Sequence, residues 1–127
     1  MKSPKTLLRR SSAGLGLYAG EEIKKGQFII EYVGPFLSEE EADKKGGKYL
    51  FEIAKDKTID GTARTNRARY LNHSCRPNCE AEIKGDRVII SARRRILLGE
   101  ELCYDYGKEY FNEFIKPHGC RCAKCQS

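Results

Sequence analysis

No stretch of this 127-residue chain approaches the roughly 20 consecutive apolar residues that a membrane-spanning helix needs. Its start, "MKSPKTLLRRSS", is basic but has neither the apolar run nor the small-residue cleavage site of a secretory signal, which predicts an intracellular protein with no membrane partner. Internal repeats and low-complexity linkers are missing as well, which argues against solenoids and flexibly tethered modules. A long basic tail is also lacking. Net charge is +6, but the densest clusters, Leu7 to Arg10 ("LLRR") and Ala92 to Arg95 ("ARRR"), are short and read as solvated strand edges. The interleaved aromatic and basic residues of a stacking platform are not evident, so binding to nucleic acid is expected to be non-specific at most.

What is present, 39% hydrophobic and 33% charged residues, has the size and balance of a domain that buries its own core. Short runs rich in valine, isoleucine and tyrosine recur between glycine-bearing breaks: "GLGLYA", "QFIIEYVG", "KYLFEI", "RVII" and "EELCYDYG". This pattern predicts a mostly β chain. Gly85-Asp86 in "EIKGDRVII" reads as a hairpin turn. Ser38 followed by Glu41 forms a capping box that opens a helix over "SEEEADKK", which "KGGK" stops. "TNRARYL" reads as a second short helix.

Two segments carry chemistry rather than packing. "NHSCRPNC", Asn72 to Cys79, is too polar for a buried strand and has no helical face. The tail "GCRCAKC" sets Cys120, Cys122 and Cys125 so close that disulfides among them are strained, whereas thiolates on a tight loop reach one metal ion, zinc by preference. Spacing alone leaves the fourth ligand open among Cys75, Cys79, Cys103, His118 and His73. A reducing compartment also favours metal-bound or free thiols over a disulfide scaffold.

Taken in order, "GLGLYA", "EYVG", "YLF", "RYLNHSCRPNC", "GEELCYDYG" and the cysteine cluster resemble the SET-domain protein lysine methyltransferases, from about Leu15 through Cys125. The resemblance implies a β-clip-like fold of small curved sheets, with a knot-like carboxy-terminal crossing and few short helices. It implies a SET domain over 1–112 and a zinc-binding post-SET tail over 113–127. It further implies S-adenosylmethionine as cofactor, contacted by Gly14, Leu15, Gly16, Leu17, Arg69, Asn72, His73 and Tyr106, with Arg69 mainly structural. One structural zinc is implied on Cys75, Cys120, Cys122 and Cys125. Tyr106 matches the family's catalytic tyrosine, and Tyr32 and Tyr104 match the aromatic positions lining its lysine channel. Without the resemblance each tyrosine reads as a core or edge residue, and His73 reads equally well as a hydrogen-bonded core histidine.

The chemistry suits these residues. Lysine, with a pKa of about 10.4, must be neutral to attack, and a narrow apolar channel lowers its pKa by desolvation. Tyrosine faces stabilise the arriving cation and tyrosine hydroxyls orient the amine. Tyr104 stands where the family has phenylalanine or tyrosine. A tyrosine there leaves less room, which implies mainly monomethylation. The implied partner is a protein or peptide with an exposed lysine, a histone tail first among them. The implied location is the nucleus of a eukaryote or the cytoplasm of a bacterium. Self-association is open, although no isolated apolar patch argues for it.

The match departs from the pattern in four places. "CRCAKC" leaves two residues before its last cysteine where four are usual, Cys103 replaces a threonine, Tyr70 replaces a phenylalanine, and the substrate-selecting region between Glu41 and Thr58 is short. Cys79 and Cys103 read as buried non-ligand thiols. The competing functions are a zinc-stabilised basic module that docks on chromatin or nucleic acid without catalysis, and a degenerate domain that only binds.

Overall fold

The computed structural model describes residues 2–11, 14–47 and 49–107, so the expected zinc tail, with Cys120, Cys122 and Cys125, lies outside the described residues. Strands β1 (Thr6–Ser11) and β2 (Gly14–Ala19) form an antiparallel hairpin. The "LLRR" cluster is thus a strand whose Arg9 and Arg10 face solvent. Strand β3 (Phe28–Tyr32) follows, then β4 (Phe36–Leu37), helix α1 (Glu39–Lys45), β5 (Leu50–Ala54) and β6 (Lys57–Asp60). A 3-10 turn, Arg67–Tyr70, leads into β7 (Asn72–His73), β8 (Cys79–Lys84), β9 (Arg87–Ala92) and β10 (Cys103–Tyr104).

The strands make four small sheets: β1-β2, β4-β6-β5, β3-β9-β8 and a parallel pair, β7 with β10. Val88, Ile89, Ile90 and Ala92 of β9, the central strand of its sheet, are all buried. Ile29, Leu17, Ile23, Leu71, Ile96 and Leu102 are fully buried with them.

The local sequence explains the connections. Gly85 takes a positive φ of 62° in the two-residue turn between β8 and β9, where a side chain would be strained. The β5-β6 turn has no glycine. Asp56 adopts φ 61° there, a conformation aspartate tolerates, and its carboxylate accepts the Glu39 N–H at 2.7 Å. Ser38 Oγ accepts the Glu41 N–H at 3.1 Å and the Glu41 carboxylate accepts the Ser38 N–H at 3.0 Å, which is the anticipated capping box. Helix α1 buries none of its residues and is tied to β6 by the Lys45–Asp60 ion pair.

"EELCYDYG" departs from its reading as one strand, because only Cys103–Tyr104 is regular. This segment divides its hydrogen bonds between two neighbours. The Ala19 N–H donates to the Glu100 carbonyl at 2.9 Å and the Leu102 N–H donates to the Leu17 carbonyl at 2.8 Å, while the Cys103 N–H turns the other way, toward Asn78. Successive N–H groups of an extended chain point to opposite sides, so one segment bonds β2 and the β7 region at once.

Candidate active site

The crossing is built by polar side chains. Asn78 is buried, donates from Nδ2 to the Glu101 carbonyl at 2.8 Å and accepts the Cys103 N–H on Oδ1 at 2.9 Å, doing the work of a missing strand partner. In the parallel pair, Asn72 faces Cys103 and His73 faces Tyr104, and the Ser74 N–H reaches the Tyr104 carbonyl at 3.2 Å. The polarity of "NHSCRPNC" therefore supplies hydrogen bonds to a segment that no regular sheet satisfies.

Asn72 also fixes the β1-β2 hairpin. Its Nδ2 lies 3.1 Å from Ser11 Oγ, 3.0 Å from the Leu15 carbonyl and 2.9 Å from Glu101 Oε2. Gly16 passes against this cluster, and a Cβ there would come within 2.4 Å of Glu101 Oε2. A Cβ at Gly14 would meet nothing within 4 Å, but the residue has a positive φ of 103°. Leu15 is exposed, whereas Leu17 is a core residue.

Tyr106 lies beside these groups. Its hydroxyl donates to the Leu71 carbonyl, and its N–H donates to His73 Nδ1 at 3.1 Å. The Tyr104 and Tyr106 rings are 4.9 Å apart, with Tyr104 only 6% exposed, and the His73 ring meets Tyr106 edge-on at 5.5 Å. Tyr32 is fixed from a different direction. Its ring packs on Phe51 at 5.4 Å and its hydroxyl donates to the Tyr49 carbonyl at 2.8 Å.

Burial pushes the His73 imidazole below its ordinary value, and Asp105, 3.8 Å away, pulls in the opposite direction. His73 Nε2 lies 3.4 Å from the half-buried Cys75 Sγ. Burial pushes Cys79 up to about 12, and its thiol donates to Asn78 Oδ1 at 3.3 Å. It is an inert core thiol, as expected. Cys103 departs from the expected burial and is half-exposed.

Arg69 sits among aromatic rings. Its guanidinium lies 4.2 Å from the Tyr49 ring centre and 5.3 Å from that of Tyr70, and donates to the Thr62 carbonyl. Asn78 and Glu101 also belong to the cluster around Asn72, although no motif marks them. In the sequence they are only the second asparagine of "NHSCRPNC", directly before a buried cysteine, and the second acidic residue of "GEEL".

A model of the SET domain family matches residues 14–107. The chain is 40% identical over 133 aligned positions to "Histone-lysine N-methyltransferase trr" of Drosophila melanogaster, covering 94% of this chain and 6% of that protein. It is 44% identical over 105 positions to "Histone-lysine N-methyltransferase, H3 lysine-4 specific" of Schizosaccharomyces pombe, covering 72% of this chain and 11% of the relative. A chain in a crystal structure of the Chaetomium thermophilum polycomb repressive complex 2 superposes with a TM-score of 0.78 at 28% identity, over 89% of this chain and 16% of its own length. The chain thus spans a small part of each of these relatives. The family match runs from the start of β2 through the crossing to the residue after Tyr106, and the chain belongs to the SET domain family.

Proposed function

We propose that this domain is a protein lysine N-methyltransferase that acts on histone tails, mainly as a monomethylase, in the nucleus. The observation that carries the reading is the meeting of Tyr104 and Tyr106 with the Leu71–His73 segment at the crossing, beside the Asn72-bound hairpin.

S-adenosylmethionine, when bound, supplies an electrophilic methyl group on a sulfonium. Gly14, Leu15, Gly16 and Leu17 would hold it along the β2 edge, with Asn72 and His73 opposite. The donor set fits a cationic cofactor, since the Glu101 carboxylate and the Leu15 and Leu71 carbonyls supply acceptors around Asn72 and Tyr106. Arg69 belongs to this set through the segment it braces on Tyr49 and Tyr70. Tyr106 would orient the lysine amine from the hydroxyl held on the Leu71 carbonyl. Tyr104 and Tyr32 would wall the channel, exclude water and so favour the neutral amine. The buried Tyr104 ring, close against Tyr106, restricts room for a methylated amine, which supports the monomethyl reading.

Zinc is assigned to Cys75, Cys120, Cys122 and Cys125, where it would fix the tail against the crossing. Cys75 fits a thiolate ligand, since a ring nitrogen faces its sulfur at 3.4 Å. The other three ligands lie outside the described residues, and among the described residues no three His, Cys, Asp or Glu side chains converge on a metal position. The non-catalytic alternative, docking on nucleic acid, loses support at the "ARRR" cluster. Arg94 pairs with Glu100 and Arg95 with Glu22, which offsets two of the three arginines there.

The test is methyl incorporation from labelled S-adenosylmethionine into histones and unmodified lysine peptides, beside Tyr106→Phe and a chelated control. Activity lost in both controls supports the reading. Silence of the wild type with cofactor still bound overturns the substrate assignment, and absence of cofactor binding overturns the enzyme.

A further inference from the structure

The geometry points to His73 as a positioning residue that links the Cys75 sulfur to the main chain of Tyr106. This rests on the reading of Tyr106 as the tyrosine at the site of methyl transfer.

A backbone N–H can only donate. With the Tyr106 N–H 3.1 Å from His73 Nδ1, that nitrogen must present its lone pair, and the single proton of the neutral ring must sit on Nε2. Nε2 faces Cys75 Sγ at 3.4 Å, so the sulfur is the acceptor. Asp105 agrees with this assignment. Its carboxylate is 3.8 Å from Nδ1, beyond hydrogen-bond range, and accepts the Gly107 N–H at 2.9 Å instead.

The link matters because the β7-β10 pairing ends at Tyr104. Beyond that point the His73 ring replaces the next ladder bond. Tyr106 is consequently held at both ends by the Leu71–His73 segment, its hydroxyl on the Leu71 carbonyl and its amide on the imidazole. The sulfur holds the Nε2–H and with it the lone pair on Nδ1. Removal of the sulfur therefore reaches the Tyr106 main chain through one ring.

The experiment uses the 127-residue chain, labelled with ¹⁵N, with metal content measured on the same sample. Its two histidines give two imidazole spin systems, and His118→Gln tells which belongs to His73. The expected result is a His73 proton on Nε2 and a slowly exchanging Tyr106 amide. Cys75→Ala is expected to speed that exchange about tenfold, and Cys75→Ser, which keeps an acceptor, by less. A proton on Nδ1, or Tyr106 exchange in Cys75→Ala within about twofold of wild type, overturns the link. If Cys75→Ala does not fold, the wild-type tautomer decides alone. Neither readout uses cofactor or substrate, so a chain that shows the link but transfers no methyl group overturns the catalytic reading and not this one.

Discussion

Asn66 is 1% exposed and its amide joins two backbone segments, accepting the Val33 N–H on Oδ1 at 3.1 Å and donating from Nδ2 to the Gly61 carbonyl at 3.1 Å. Those segments enclose Tyr32. Val33 follows it in sequence, and Gly61 lies so near the ring that a Cβ there would be 2.4 Å from Tyr32 Cε1. The Tyr49 carbonyl completes the cradle, accepting both the Tyr32 hydroxyl at 2.8 Å and the Gly61 N–H at 2.7 Å. Asn66→Ala removes both amide bonds. A buried group left unpaired costs about 1–3 kcal/mol, and Val33 is exposed enough for water to recover part of its share. The expected loss is about 2–4 kcal/mol, a large part of the stability of a domain this size. Asn66→Asp keeps the acceptor for Val33 but turns a carboxylate oxygen toward the Gly61 carbonyl, so it recovers little. Urea unfolding followed by circular dichroism reads the effect. With a slope of about 2 kcal/mol per molar, the midpoint should fall by roughly 1–2 M. A fall below about 0.3 M for Asn66→Ala, or wild-type behaviour of Asn66→Asp, refutes this account of how Tyr32 is held.

Tyr106→Phe removes the hydroxyl bonded to Leu71 and should lower the methyl-transfer rate on the order of a hundredfold while cofactor binding persists. Equal rates in single-turnover assays would refute the role. Tyr104→Phe should shift products toward dimethyl and trimethyl lysine by mass spectrometry, and efficient trimethylation by the wild type would refute the monomethyl reading. Asp60 gives a pH test. Burial raises its carboxyl, but bonds from Lys45 and from the Thr62 hydroxyl and N–H outweigh this and hold it below its ordinary value. A group depressed in the folded state stabilises above its unfolded pKa and loses that contribution as pH falls through the folded one. Melting temperature should therefore drop below about pH 4, and Asp60→Asn should start lower at neutral pH and drop less. Parallel curves for the two proteins would refute the assignment.

The strands, the capped helix and the Gly85 turn were legible because each rests on local chemistry: alternation, a serine three residues before a glutamate, a glycine with positive φ. The cooperation of distant residues was not legible. Asn78 reads as one more polar residue until Glu101 and Cys103 lie on either side of its amide, and Asn66 until Val33 and Gly61 do. The crowding at Gly16 was not legible either. A glycine in "GLGLYA" gives no hint that Glu101 and Asn72, distant in sequence, leave no space for a side chain at Gly16. A crossing in which one segment bonds two neighbours leaves backbone groups that no sheet can satisfy. The asparagines and the histidine of "NHSCRPNC" satisfy them, and in doing so hold Leu15, Glu101, Cys103 and Tyr106 around one point. The same hydrogen bonds that let the chain fold through itself therefore bring together the residues proposed to hold the cofactor and orient the amine, which is why loss of any one of them should affect stability and methyl transfer together.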